Sequence, residues 1–158
     1  MTSVFDDKEF DNLVSYFMQI DSQQPSFSSF LDLSMDSPDF DTPVLSLKMR
    51  DNLVGNLVYR TLHGGVIASI LDALGGHAVF LKVFQQVKGQ PLEKQVKRTV
   101  KIGSIDLRID YLRPGTGNSF IASGTILRTG NKVAVTRMEL HNEENKLIAV
   151  GTGTYTVG

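Results

Sequence analysis

The feature that most constrains this chain is an apolar stretch of twenty residues, Leu62–Leu81, that carries a single charge. Between Gly64 and Leu81 the only side chain ionised at neutral pH is that of Asp72. A stretch so rich in apolar residues predicts one long, buried helix around which the other elements pack. A carboxylate in such surroundings needs hydrogen-bonding partners or a chemical task. Asp72 is therefore the first candidate for a functional residue.

The two sides of this predicted helix differ in side-chain size. With Asp72 at zero and about 100° per residue, the opposite side holds Val66, Ile70, Leu74, His77 and Leu81. We expect that side to face a sheet, with His77 as a buried, hydrogen-bonded core residue. The side around Asp72 holds Gly65, Ala68, Ser69 and Gly76. Small residues let a ligand or another backbone approach, which would offset the cost of about 1 kcal/mol for each helical glycine. The helix should end near Phe84.

The rest of the chain predicts one further helix and five strands. Residues 6–20 have helical apolar spacing, whereas residues 21–43 are polar and punctuated by proline, which is typical of a loop or arm. Period-2 alternation predicts strands at 44–50, 98–112, 119–128, 132–141 and 146–157. Residues 51–62 and 87–97 are interpreted as connections, the first with room for a short strand. One strand, a long helix and four strands form the α+β order in which an antiparallel sheet wraps a helix.

The alternation within residues 98–112 changes phase at Gly103–Ser104. Val100 and Ile102 belong to one phase, and the apolar residues from Ile105 onward belong to the other. Because a slip of one residue turns every side chain to the opposite face, we expect a bulge or break there. Bulges are common beside active sites, so Ser104 is either a functional residue or one that only relieves the bulge.

Composition and charge exclude several classes of function. The chain has no cysteine and three histidines, so it predicts no disulfide, no thiolate chemistry and no His-rich metal site. Residues 1–42 hold nine acids and one base, a net charge of −8, and residues 43–158 hold fifteen bases and eight acids, a net charge of +7. We predict an acidic arm at 1–42 and a mildly basic domain at 43–158. The basic domain suits a small anionic ligand, whereas the acidic arm argues against nucleic acid.

The sequence also predicts where in the cell the protein is located. Its first residues are acidic and lead into no long apolar segment, so we expect no signal peptide. The apolar stretch contains a glycine pair and Asp72 near its centre, so we expect no membrane-spanning segment. A soluble, cytoplasmic protein is the expectation.

Four motifs together resemble a known family. They are Leu62-His-Gly-Gly-Val-Ile with Asp72 nine positions after the histidine, Ser104-Ile-Asp-Leu-Arg-Ile-Asp-Tyr-Leu-Arg-Pro114, Arg128-Thr-Gly-Asn-Lys132 and Leu147-Ile-Ala-Val-Gly-Thr-Gly-Thr-Tyr155. Over residues 43–158 the chain resembles the hotdog-fold acyl-CoA thioesterases of the phenylacetyl-CoA thioesterase type, in the 4-hydroxybenzoyl-CoA thioesterase superfamily. The resemblance implies a hotdog fold and hydrolysis of an acyl- or aryl-CoA to the free acid and CoA, with no metal or bound cofactor.

The resemblance implies roles for matching residues. In that family the N–H of the first glycine after the histidine, here Gly64, polarises the thioester carbonyl, and a helix N-terminus does supply unpaired donors. The helix carboxylate matches Asp72, as a nucleophile or as a general base. In one subgroup a Ser or Thr on the following strand holds the attacking water, and Ser104 matches it. The family's Asn six residues before the histidine is replaced by Leu57, so Asn56 would serve through a shifted loop.

Further residues are candidates for contact with the substrate. We expect His63 to be a hydrogen bonder at the start of the helix rather than a base, and Gly65 to contact substrate. His141 is interpreted as a surface residue at a strand end. The phosphates of CoA need cations, and the candidates are Lys97, Arg98, Arg113, Arg128 and Lys132, with Lys94 and Lys101 in the same basic run. The alternative is that this run is merely a solvated edge.

The spacing of the two principal residues bears on assembly. Eight residues separate Gly64 from Asp72, about 12 Å of helix. One thioester cannot reach both within one protomer, so both can act on one carbonyl only if two helices run antiparallel across a two-fold axis. This hypothesis requires a homodimer, which is what the family forms, and we expect a homotetramer.

Three alternatives stay open. Asp72 is a structural carboxylate in one of them, capping a loop or pairing across a dimer. An acyl-CoA binding or sensing protein of the same fold would keep the pocket and need no carboxylate. A hotdog hydratase would need an Asp and a His acting together, and neither His63 nor His77 is obviously placed for that.

Overall fold

A computed structural model describes residues 7–21, 26–37 and 39–158, without the side chains of 17–21 and 37. The acidic start at 1–6 and the polar residues 22–25 of the predicted arm lie outside this description. The helices are α1 (Lys8–Asp21), α2 (Phe27–Leu31), α3 (Gly64–Val87) and α4 (Leu92–Thr99). The strands are β1 (Ser34–Ser37), β2 (Val44–Lys48), β3 (Val54–Asn56), β4 (Thr61–Leu62), β5 (Ser104–Tyr111), β6 (Ser119–Thr129), β7 (Val133–Asn142) and β8 (Leu147–Thr156).

The main sheet has six strands in the order β1-β2-β6-β7-β8-β5, and every neighbouring pair is antiparallel. The short pair β3-β4 lies apart from it, just before α3. Helix α3 contacts β2, β5, β6, β7 and β8, so it lies across the sheet. The predicted α+β architecture, a sheet wrapped around one long helix, is confirmed.

The core forms where α3 meets the sheet. Ile70, Leu71 and Leu74 are fully buried against strand residues such as Phe120 and Met138. At about 25 cal/mol per Å² of apolar surface removed from water, each such side chain contributes about 1.5–3 kcal/mol. Helix α3 has the length and apolar composition to cross a membrane, contrary to the expectation from its glycines and Asp72, and half of that apolar window is buried inside the fold.

Four expectations about the elements were wrong. Helix α3 continues three residues beyond Phe84, because Val87 is still buried. Helix α4 begins inside the predicted connection 87–97 and runs on to Thr99, and its helical repeat places Gln95 and Thr99 on a buried face. Strand β5 therefore begins only at Ser104. His77 was expected to be buried but is exposed on the helix surface. Its ring nitrogen Nδ1 bonds the Ala73 carbonyl oxygen at 2.8 Å.

The predicted arm also supplies a strand. Residues Ser34–Ser37 pair with β2 as β1, the edge of the main sheet. Its sequence is too short and polar to predict an edge strand. Leu33 and Met35 nevertheless pack on the core, and Leu31 is buried. Phe27 and Phe30 of α2 stack on each other and stay exposed.

Helix α1 is attached to the far end of α3. Asp7 Oδ1 accepts hydrogen bonds from the backbone N–H of Glu9 (3.1 Å) and Phe10 (3.4 Å), while Oδ2 pairs with Lys88. Glu9 Oε2 accepts the Gly89 N–H at 2.7 Å. Burial raises the pKa of Asp7, but the hydrogen bonds from Lys88 and the two backbone groups outweigh it and hold that pKa below 3.8.

The lowered pKa of Asp7 predicts a pH-dependent attachment of α1. Asp7→Asn keeps the cap but removes the charge, so we expect a loss of about 1 kcal/mol of unfolding free energy at pH 7. The pKa of Asp7 in the folded protein lies below its pKa in the unfolded chain. The difference in unfolding free energy between wild type and variant is therefore constant above the unfolded-state pKa. It narrows as the pH falls below about 4. Thermal unfolding from pH 2 to 8 measures it. Asp11→Asn, an exposed acid of the same helix, is the control, and equal destabilisation by both would contradict the prediction.

Candidate active site

The carboxylate of Asp72 is partly exposed and held on one oxygen. Ser104, the first residue of β5, donates its hydroxyl to Asp72 Oδ1 at 2.7 Å. The Tyr155 hydroxyl of β8 lies 3.2 Å from the same oxygen and 3.1 Å from the Asp72 carbonyl oxygen. Within the described residues no hydrogen bond uses Oδ2. This second oxygen is therefore the one available for a water molecule or a substrate carbonyl.

Strand β5 begins at Ser104, beside Asp72, because the apolar alternation of residues 98–112 changes phase just before this residue. The predicted break at Gly103–Ser104 is confirmed: the strand starts there, and its pairing with β8 is irregular between Ser104 and Asp106. Thr156 Oγ1 accepts the Gly103 N–H at 2.9 Å, which fixes the backbone next to Ser104. The serine hydroxyl is thereby presented at the exposed side of the sheet edge.

The start of α3 leaves one donor free. Gly65 N–H donates to His63 Nδ1 at 2.9 Å, and the N–H groups of Val66 and Ile67 donate to the His63 carbonyl oxygen. The Gly64 N–H has no acceptor among the described residues. Of the donors that a helix N-terminus leaves unpaired, it is therefore the one that can bind a substrate oxygen, with the positive end of the helix dipole behind it.

His63 caps the helix with its side chain. To accept the Gly65 N–H, its Nδ1 must carry no proton, so the ring proton of the neutral form lies on Nε2. The side chain is therefore a hydrogen bonder at the helix start, as expected. That Gly65 contacts substrate stays a prediction, and its N–H is not free for that contact because it already donates to His63.

Tyr111 was not predicted as a site residue. Its hydroxyl donates to the Gly64 carbonyl oxygen at 3.0 Å, and a Cβ added at Gly64 would lie 3.5 Å from its ring. The last residue of β5 thus supports the N-terminus of α3, while the first residue of β5 bonds Asp72. Tyr155 was missed as well. Its position on the same face of β8 as Gly153 and Gly151, two and four residues before it, is the signal that was available, since a phenol buried among glycines requires a polar partner.

Asn56 lies at the end of β3, and its side chain serves its own turn. Its Oδ1 accepts the N–H groups of Val58 (3.0 Å) and Tyr59 (3.2 Å). The hairpin therefore already uses the amide oxygen of Asn56, and a catalytic role of this residue stays a prediction. Gly55 packs against His63, since an added Cβ would lie 2.8 Å from the His63 Cα, so this hairpin does border the helix start.

The candidate cations for CoA are spread over several elements. Arg98 in α4 donates to the Gly158 carbonyl, and Arg113 after β5 donates to the Leu147 carbonyl at 2.9 Å. The side chains of Lys97, Arg128 and Lys132 belong to exposed residues and make no hydrogen bond to another described residue. No hydrogen bond among the described residues joins these side chains to Asp72 or Gly64. Among the described residues no three His, Asp or Glu side chains lie together so as to hold a metal ion.

Comparison with known proteins places this geometry in a family. The sequence model of the thioesterase superfamily matches residues 59–149. The medium/long-chain acyl-CoA thioesterase YigI of Escherichia coli is 42% identical over 132 residues, covering 84% of this chain and 85% of that protein. A crystal structure from Shewanella oneidensis, described as related to the thioesterase superfamily, has a TM-score of 0.84 at 39% identity and covers 95% of this chain and 97% of that one. The PaaI protein from the E. coli phenylacetic acid degradation operon shares the fold, with a TM-score of 0.68 at 17% identity over 93% of this chain and 94% of that one.

Proposed function

Because this chain belongs to the thioesterase superfamily, a family of hotdog-fold thioester hydrolases, we propose that it hydrolyses medium- or long-chain acyl-CoA to the free acid and CoA. The observation that carries the proposal is the Asp72 carboxylate, bonded on Oδ1 and free on Oδ2. The chain length of the substrate follows from the name of the E. coli relative. We propose that the reaction needs only protein groups and water, without a metal or bound cofactor. We also propose that the protein acts in the cytoplasm.

In the proposed reaction the Gly64 N–H donates to the thioester carbonyl oxygen and stabilises the negative charge that develops there. Asp72 Oδ2 acts in one of two ways. As a general base it removes a proton from the water that attacks the carbonyl carbon, and the C–S bond then breaks with CoA leaving as its thiolate. As a nucleophile it attacks the carbon itself, expels the thiolate, and yields a mixed anhydride that water cleaves. Either way the thiolate finally takes up a proton.

A complete site requires two copies of the chain in this proposal. Gly64 and Asp72 lie on the same continuous helix, eight residues and about 12 Å apart along its axis. No single thioester contacts both. The carbonyl bound at one Gly64 must therefore be attacked with the help of Asp72 of the partner subunit, and each dimer has two such sites.

The placement of β5 supports this dimer. The strand is the long open edge of the described sheet, and it runs from Ser104 beside Asp72 to Tyr111 beside Gly64. Antiparallel pairing of two β5 strands about a two-fold axis between Leu107 and Arg108 would place Ser104 opposite the partner's Tyr111. The carboxylate end of each site would then face the N–H end of the other. Assembly beyond a dimer into a tetramer stays a prediction.

The proposed substrate predicts a clear order among acyl-CoA esters. We expect kcat/KM to be at least about ten-fold higher for medium- and long-chain esters than for acetyl-CoA, because each buried methylene contributes about 0.8 kcal/mol. Thiol release from short, medium, long and aromatic acyl-CoA measures it. Release from none of them, with tight binding of a non-hydrolysable long-chain thioether analogue, would instead indicate a binding protein.

The cations that bind the phosphates of CoA stay a prediction. Arg98 and Arg113 use one N–H each on backbone carbonyls and keep further donors, while Lys97, Arg128 and Lys132 are exposed. The hydratase alternative finds no support, because neither His63 nor His77 is hydrogen-bonded to Asp72; both rings bond backbone groups instead.

A further inference from the structure

We propose that Tyr155 is a positioning residue for Asp72, whose hydroxyl fixes the carboxylate so that Oδ2 faces the thioester. The inference rests on the proposed function and adds a residue to it. Tyr155 is 1% exposed and so does not reach the substrate. Its hydroxyl lies within hydrogen-bonding distance of both the carboxylate and the backbone carbonyl of Asp72, so its one proton is shared between side chain and helix.

Two glycines, Gly75 in α3 and Gly153 in β8, leave the space that the Tyr155 side chain occupies. A Cβ at Gly75, one turn after Asp72, would lie 2.1 Å from the Tyr155 hydroxyl oxygen. A Cβ at Gly153, on the same face of β8 as Tyr155, would lie 2.6 Å from its ring. Glycine weakens both helices and strands, so two glycines at this contact are explained by the approach of the phenol.

The two donors to Asp72 Oδ1 differ in their surroundings. Burial raises the pKa of Tyr155, and the charge of Asp72 and the hydrogen bond to it raise that pKa further. The phenol therefore stays protonated, and able to donate, well above neutral pH. Ser104 is exposed, and its hydroxyl can rotate toward a water molecule. Tyr155 is thus the constant donor, which leaves Ser104 free to bind the attacking water while Asp72 keeps its orientation.

Steady-state kinetics of Tyr155→Phe test the inference, because this change removes one oxygen and keeps the packed ring. We expect kcat on a long-chain acyl-CoA to fall about ten-fold or more while KM stays within about two-fold, since a misdirected carboxylate slows the chemical step rather than binding. Tyr59→Phe, which removes an exposed hydroxyl, is the matched control and should leave kcat unchanged. We expect the loss in a Ser104→Ala, Tyr155→Phe double variant to differ from the product of the single losses, because both hydroxyls bond the same carboxylate oxygen.

The outcomes separate this inference from the proposed function. A folded Tyr155→Phe protein with wild-type kcat, alongside an inactive Asp72→Asn variant, would overturn the role of Tyr155 and leave the thioesterase intact. Equal loss of folded protein and of activity, with kcat per folded subunit unchanged, would also overturn it, since it would show a purely structural role. A wild type inactive on every acyl-CoA would overturn both.

Discussion

Replacing Asp72 with Asn is expected to lower kcat for acyl-CoA hydrolysis by about 10³-fold or more. Asparagine has the shape of aspartate, and its amide oxygen can still accept from Ser104 and Tyr155. What is lost is the negative charge on the free oxygen, which neither removes a proton nor attacks a carbonyl once it is an amide. General base groups contribute about 10²- to 10⁴-fold to rates, and loss of a nucleophile costs at least as much.

Thiol release measured with a saturating long-chain acyl-CoA tests this expectation, with thermal unfolding as a check on folding. Glu93→Gln is the control, because Glu93 is an exposed acid on α4 rather than on the proposed β5 interface. A folded Asp72→Asn enzyme with wild-type turnover would show that the carboxylate is only structural. That result would favour the alternative in which Asp72 is a structural carboxylate that caps a loop or pairs across a dimer.

Mixing two inactive variants should restore activity if the site is shared between subunits. Gly64→Pro removes the free N–H while keeping the helix, because proline is well accepted at the first helical position. His63 already has φ −63° and ψ 136°, which suits a residue before proline, and a Cβ at Gly64 makes only ordinary contact with Tyr111. We expect this variant to lose about 10²- to 10³-fold in kcat. Gly64→Ala, which keeps the N–H, is the control.

A dimer of one Gly64→Pro chain and one Asp72→Asn chain contains one intact site. That site combines the glycine of the second chain with the carboxylate of the first. After unfolding and refolding an equimolar mixture, half of the dimers are mixed, so we expect about a quarter of wild-type activity. If Gly64 and Asp72 of the same chain formed the site, the mixture would stay inactive. Size-exclusion chromatography with light scattering is needed beside the assay, since a monomer with full activity would rule out the shared site.

The sequence predicted the central helix and the three long strands at the end of the chain to within a few residues. Their apolar periods are long and regular, and each period corresponds to one buried face. Asp72 stood out because charge inside such a helix is costly. The break before Ser104 was visible for a similar reason, since a phase change in a half-buried strand must be resolved by the backbone.

The errors arose where short segments depend on tertiary contacts. Helix α4 has few apolar residues and includes a buried Gln95, so its residues read as a polar connection. Strand β1 has four residues and exists because β2 offers it a partner. The contacts of Tyr111 and Tyr155 join residues 47 and 83 positions apart in the chain, and no local pattern encodes them. The family resemblance pointed to the Gly64 N–H as the donor to the thioester. Only the hydrogen bonds at the helix start show why the Gly65 N–H is not available for that role, since it donates to His63.

The short first strand has a consequence for solubility. A sheet with two long open edges can add copies at both ends and grow into a ribbon, which is the route to insoluble aggregates. Here one edge is β1, four residues long and irregular in its pairing, which offers few groups for another chain to bind. Of the two edges of the described sheet, only β5 is long enough to accept a second copy, and pairing about a two-fold axis would leave no free edge there. The arm would thereby make the assembly self-limiting, which predicts that deleting it promotes precipitation at high concentration.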